Sequence, residues 1–180
     1  MTVYLKFNDI DAPVLLEGSS DLVDLIHRVL PECPFTLETH SEAPPFFRIG
    51  AEKSGRYPCQ NLITQGQPRH LDALNAVCDM VAAMSYAFVA SQPAYLCLHA
   101  AAVDFAGRLV VLPNTRRAGK STLTSVLAQR GHPVYTDDAL PVCFDNSGRL
   151  VGRAGGISPR LRLPLPDTMT SDFRDWVAGN

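Results

Sequence analysis

The chain has 180 residues, 46% of them hydrophobic and 19% charged, with a formal net charge of -2 at pH 7. That length supports one substantial core or a small domain beside another, and the mild charge, without a Lys/Arg run, argues against nonspecific nucleic-acid binding. The five cysteines (Cys33, Cys59, Cys78, Cys97, Cys143) are odd in number and lack CxxC spacing, so they read as reduced thiols of a cytoplasmic protein.

Met1–Asp11 alternates polar and apolar residues instead of building the apolar run of a signal peptide. Thr2–Phe7 has the period of a strand, with Val3, Leu5 and Phe7 on one face. A helix capped by Ser20 or Asp21 is expected through Leu30, since Leu22, Leu25, Ile26, Val29 and Leu30 recur at helical spacing. Pro31 and Pro34 stop it. Phe35–Ile49 and Arg56–Thr64 read as short strands, with turns at Pro44-Pro45 and Ser54-Gly55. Residues 1–68 are thus expected to form a small α+β N-terminal region, with a boundary in Gln65–His70. Its aromatic and proline content fits a lead domain or a peptide-docking surface equally.

Residues 69–180 form the second expected region. A helix from about Leu71 to Val89 would pack Leu74, Val77, Cys78, Val81, Ala82 and Met84 inward. Asn75, Asp79 and Ser85 make the apolar stretch around it too polar for a membrane span. Tyr95–Leu98 is expected as a short strand, and Ala101–Phe105 with Arg108–Leu112 as a hairpin. A helix over Ser121–Gln129 should turn Leu123, Val126 and Leu127 inward and end at Gly131. Pro133–Thr136 is a strand ending in Asp137-Asp138. Ala139–Phe144 and Arg149–Arg153 make a hairpin, Arg160–Leu165 alternates again, and Ser171–Val177 is a last helix with Trp176 buried.

The chemistry concentrates in Leu109–Leu123, LVVLPNTRRAGKSTL, whose order is strand, loop, helix. A phosphate loop needs Gly, four free positions and Gly-Lys-Ser/Thr, so that backbone N–H groups and a helix N-terminus face phosphate. Gly119, Lys120 and Ser121 satisfy the second half, followed by Thr122. Asn114 stands at the first glycine position, and asparagine tolerates the left-handed backbone. Asn114, Thr115, Arg116, Arg117, Ala118, Gly119, Lys120, Ser121 and Thr122 are therefore the expected nucleotide contacts. Arg116 and Arg117 either touch phosphate oxygens or stay in water. Asp137-Asp138, at the carboxyl end of the next strand, is suited to meet a metal and a substrate hydroxyl. Standing alone, such a pair is most often a turn or a helix N-cap.

Taken together, His99 before the hairpin LHAAAVDFAGRLVVLP, the loop NTRRAGKST, the short helix to Arg130-Gly131-His132 and the strand PVYTDD resemble the HPr serine kinase/phosphorylase family. The resemblance is closer to its stand-alone HprK-related kinases. It runs from about Ala94 to Pro166 and includes the segment ISPRLRLPLP. It implies a P-loop, PEP-carboxykinase-like α/β fold with a mixed-sheet core. It also implies transfer of the γ-phosphate of ATP, with Mg²⁺, to a serine of a small protein or peptide. By position, Lys120 would bind phosphate and Ser121 the metal. Asp137 would take the hydroxyl proton, Asp138 would be the metal partner, and His99 would reach the site. Arg160 and Arg162, on one strand face, would neutralise transferred phosphate or line a solvated edge. The early end after Pro166 leads to the expectation of an incomplete domain, shortened or completed by a second copy in a homo-oligomer. No nucleic-acid or membrane partner is expected. The alternative function is a nucleotide-binding regulatory module with impaired catalysis.

Overall fold

Strand β1 (Thr2–Phe7) buries Val3, Leu5 and Phe7, as its alternation requires. The structure, a computed structural model, describes residues 1–31, 33–113, 119–155, 157, 159–161 and 164–179. β1 pairs antiparallel with β2 (Val14–Glu17) on one side and with β3 (Phe35–Glu38) on the other. β2 has no sequence period to betray it, because Val14, Leu15 and Leu16 are all buried. β4 (Phe47–Gly50) lies parallel to β2, and β5 (Tyr57–Asn61) and β6 (Arg69–Leu71) continue the sheet antiparallel. The sheet order is β3-β1-β2-β4-β5-β6. The stretch 35–49 is therefore two strands in separate places, and β6 overlaps the end of the segment read as a boundary.

A 3₁₀ turn at Ser20–Leu22 leads into α1 (Val23–Val29) without a side-chain cap. Asp21 instead accepts a hydrogen bond from the Tyr57 hydroxyl, which raises the pKa of that phenol. α2 (Ala73–Ser91) starts at Asp72, whose Oδ1 accepts the Asn75 N–H at 2.9 Å. Its buried face is Ala76, Val77, Met80, Val81, Ala83, Met84, Ala87 and Phe88. Leu74 and Ala82, expected inward, are exposed, because the buried stripe follows Ala76, Met80, Ala83 and Ala87 at helical spacing. α2 is long and apolar enough to cross a membrane by composition, and it packs against α1, β4, β5 and β6. The chain divides into two compact units, Met1–Cys97 and Leu98–Asn180, so α2, grouped with the C-terminal region on sequence, packs in the first. All five cysteines are free, and burial pushes the Cys59 thiol up to about 11, which leaves it inert.

In the second unit, β7 (Leu96–Phe105) and β8 (Arg108–Pro113) form a hairpin. The two strands expected between Tyr95 and Phe105 are one. Ala106 and Gly107 take φ of 53° and 77°, the pair of positive angles that a two-residue type I′ turn needs. α3 (Lys120–Gln129) ends in a Schellman motif at Gly131: the His132 N–H bonds Leu127 O at 3.0 Å and the Gly131 N–H bonds Ala128 O at 2.9 Å. β9 (Val134–Thr136), β10 (Ala139–Phe144) and β11 (Leu150–Gly152) complete a sheet of order β11-β10-β7-β8, with β9 also on β7. Since β8 and β9 are both antiparallel to β7, they run parallel to each other with β7 between them.

α3 does not turn Leu123 inward as expected. Leu123 is 46% exposed while Thr124 and Ser125 are buried. Their hydroxyls donate to Lys120 O and Ser121 O, each at 2.8 Å, which satisfies them within the helix and lets small side chains face the core. The described residues of the Arg160–Leu165 stretch form no strand. α4 (Ser171–Gly179) buries Phe173, not Trp176, which is half-buried and stacked on it at 6.0 Å. The protein is thus of mixed α/β class, with two sheets and helices α1–α4.

Ala102, Leu140 and Val142 form the core of the second sheet, with Leu109 and Tyr135 against them. A Cβ at Gly152 would run into Leu109 Cδ2 and come within 3.2 Å of Leu140 Cδ1. Gly152→Ala is therefore expected to destabilise this unit by about 1–3 kcal/mol in thermal or urea unfolding. The added change Leu109→Ala should recover part of that loss; an undiminished loss would mean that Leu109 is not the obstacle.

Candidate active site

The site is built by strand direction. β8 ends at Pro113, opposite Ala100 of β7, and β9 ends at Thr136, opposite Ala102. The carboxyl ends of two parallel strands thus flank the middle of β7 and point toward its amino end, the kind of place where open α/β sheets bind ligands. His99 is the next residue outward from Ala100. α3, which follows β8 in the chain and leads into β9, has 10 residues and spans about 15 Å.

Of the expected loop, Asn114, Thr115, Arg116, Arg117 and Ala118 lie outside the described residues. Gly119 caps α3 in the left-handed region at φ 76°, a conformation that favours glycine. Lys120, Ser121 and Thr122 are half-buried in the first turn of α3. Their helix terminus presents N–H groups suited to an anion.

Asp137 and Asp138 sit in very different surroundings. A turn closed by Thr136 splits them, its fully buried Oγ1 accepting the Asp138 N–H at 3.2 Å and the Ala139 N–H at 3.1 Å. Asp137 is 4% exposed. Its Oδ2 accepts the backbone N–H of Arg160 at 2.9 Å, whereas its buried Oδ1 has no hydrogen-bond partner among the described residues. Asp138 is half-exposed, with Oδ1 3.0 Å from His99 Nδ1 and Oδ2 3.2 Å from Arg160 Nη2. An ionised carboxylate only accepts, so Nδ1 of His99 carries the hydrogen of that contact. The chain after β11 returns alongside β9, where the Gly155 N–H bonds Tyr135 O at 3.1 Å. This path delivers Arg160 to both carboxylates.

The fold therefore gathers His99, Asp137, Asp138 and Arg160, of which Arg160 was expected on a strand face with Arg162. Arg162 lies outside the described residues. Thr136 escaped the sequence reading, although a Thr just before two carboxylates is a recognisable side-chain turn signal. The anchoring role of the Arg160 backbone N–H left no trace in the sequence, because any residue type but proline supplies that group.

A buried carboxylate oxygen lacking a donor is costly and suits a ligand hydroxyl or a hard cation. Mg²⁺ takes oxygen ligands, commonly one or two carboxylates completed by phosphate oxygens and waters. Asp137 Oδ1 and the Ser121 hydroxyl fit that demand; Asp138 fits it only by giving up one of its two present partners. Among the described residues no group of three or more His, Cys, Asp and Glu side chains is arranged for a metal, so an ion here would depend on phosphate and water. Comparison with family models, with curated proteins and with solved structures finds no match for this chain.

Thr136→Val keeps the shape but leaves two N–H groups without their acceptor. The expected result is a loss of about 1–3 kcal/mol in unfolding experiments, with Thr136→Ser close to the parent. Equal stability of the Val and Ser variants would remove the turn from the account of the site.

Proposed function

We propose that the second unit is a P-loop kinase of the HPr kinase/phosphorylase type, which transfers the γ-phosphate of ATP to a serine of a small protein or peptide. The observation that carries this reading is the orphaned Oδ1 of Asp137, at the sheet edge where the strand before the Gly119-Lys120-Ser121 helix also ends. In this reading Asp137 Oδ1 accepts the hydrogen of the acceptor serine as its oxygen attacks phosphorus. Lys120 and the first-turn N–H groups of α3 hold the phosphates. The Ser121 hydroxyl and Asp138 would hold Mg²⁺, which would neutralise charge on the phosphates. His99 keeps Asp138 in place. Catalysis is then mainly positioning and charge stabilisation.

A second reading, a nucleotide-binding regulatory module without turnover, is favoured by one feature: both oxygens of Asp138 are already engaged. The two separate experimentally. Binding of Mg-ATP in calorimetry, together with ³²P transfer to a serine peptide or carrier protein, supports the kinase; binding without transfer to any acceptor supports the module. For the kinase, Lys120→Ala and Asp137→Asn should each lower transfer by at least about a hundredfold. Transfer retained in both variants would overturn the assignment.

A further inference from the structure

His99 is arranged as more than a prop for a carboxylate. Its Nδ1–H donates to Asp138 Oδ1 at 3.0 Å, while its side chain stays 60% exposed. With that hydrogen on Nδ1, the lone pair of the neutral ring is on Nε2. Arg160 Nη2 bonds the other oxygen of Asp138 at 3.2 Å, so the carboxylate is held from both sides. A carboxylate that orients an imidazole through Nδ1, and is itself oriented by a third group, is the pattern of an activated histidine. His70, on β6 of the first unit, bonds Glu52 in the same way at 2.8 Å. Strand position sets His99 apart. It precedes Ala100, which lies opposite the end of β8, and β8 leads on to Gly119-Lys120-Ser121. On the other flank of β7, β9 ends just before the two carboxylates.

We propose that His99 Nε2 is a nucleophile that takes a phosphoryl group, so that phosphate reaches the acceptor serine by way of a phosphohistidine. The inference rests on the reading that α3 holds the phosphates of ATP. In the first step the Nε2 lone pair bonds to the γ-phosphorus. The bond from that phosphorus to the β,γ-bridging oxygen breaks, and its electron pair leaves on ADP. The ring is then a phosphoimidazolium, whose positive charge Asp138 balances through the Nδ1–H bond. In the second step the serine oxygen attacks the phosphorus and the N–P bond returns its electron pair to Nε2. The serine hydrogen passes to Asp137 Oδ1, a buried acceptor without a hydrogen-bond partner among the described residues.

The full chain is mixed with Mg-[γ-³²P]ATP, quenched in alkali and digested for mass spectrometry. The expected product is a phosphate on His99, stable in alkali and lost in acid, with none on His70. His99→Asn is the deciding variant, because its side-chain amide can still donate to Asp138 while no nucleophilic nitrogen remains. It should carry no label and transfer no phosphate to a serine acceptor. Transfer at the parent rate in His99→Asn would overturn the relay and leave the kinase reading standing. A second probe, phosphoramidate, tests the nucleophile without nucleotide. It should phosphorylate His99 at Nε2 about tenfold faster than the exposed His40, and the excess should vanish in Asp138→Asn. Reaction of His99 at Nδ1, or only at the rate of His40, would overturn the proposal. Should His99→Asn fail to fold, this second arm decides. Phosphorylation of His99 by phosphoramidate in a chain inert toward ATP would sink the kinase reading alone and keep His99 as a phosphoryl-accepting site.

Discussion

Everything at the candidate site depends on β7 hydrogen-bonding β8 on one side and β9 on the other. Two antiparallel pairings to one strand make its neighbours parallel, and parallel strands joined through a helix deliver both carboxyl ends to a common edge. One of those ends leads to the helix start at Gly119-Lys120-Ser121, and the other leads to Asp137-Asp138. His99 lies on β7 itself, at the edge the other two share. The small side chains of β7 make this possible. Ala100, Ala101 and Ala102 are 0–3% exposed, and larger residues there would hold the covering elements away from the sheet.

The carboxylate pair is held by asymmetry. Two adjacent acidic side chains repel each other if both are buried, so one has to face outward or be neutralised. Thr136 enforces the division by gathering the N–H groups of Asp138 and Ala139 into its hydroxyl. Asp137 turns into the protein, anchored on one oxygen by a backbone N–H. Asp138 turns outward and is compensated by an imidazole and a guanidinium. One carboxylate is thereby kept with an open buried oxygen while the other carries the charge balance.

Where the sequence carried a local signal, the structure was legible in it. The alternation of Thr2–Phe7, the hairpin around Ala106-Gly107, the Gly131 helix end and the β10–β11 turn all depend on neighbours in the chain, and they appear where those residues place them. β2 and β6 were not legible, since a strand buried on both faces or only three residues long has no period to read. The helix faces of α2 and α3 were shifted for a related reason. Hydrophobicity ranks Leu74 and Leu123 as core residues, but the buried stripe goes to whatever fits closest against the sheet, and there Ala, Thr and Ser fit.

The sequence by itself determined the residue types of the site and their order: Gly-Lys-Ser-Thr at a helix start, two carboxylates at the end of the following strand, and a histidine upstream. Those are properties of short segments, and short-range chemistry is written locally. Only the tertiary structure decided which carboxylate is buried, which one His99 bonds, and that Arg160, 22 residues beyond Asp138, closes the pair with both its backbone and its side chain. Such pairings join segments distant in the chain. They follow from the curl of a sheet and the return path of a loop, which no window of neighbouring residues contains.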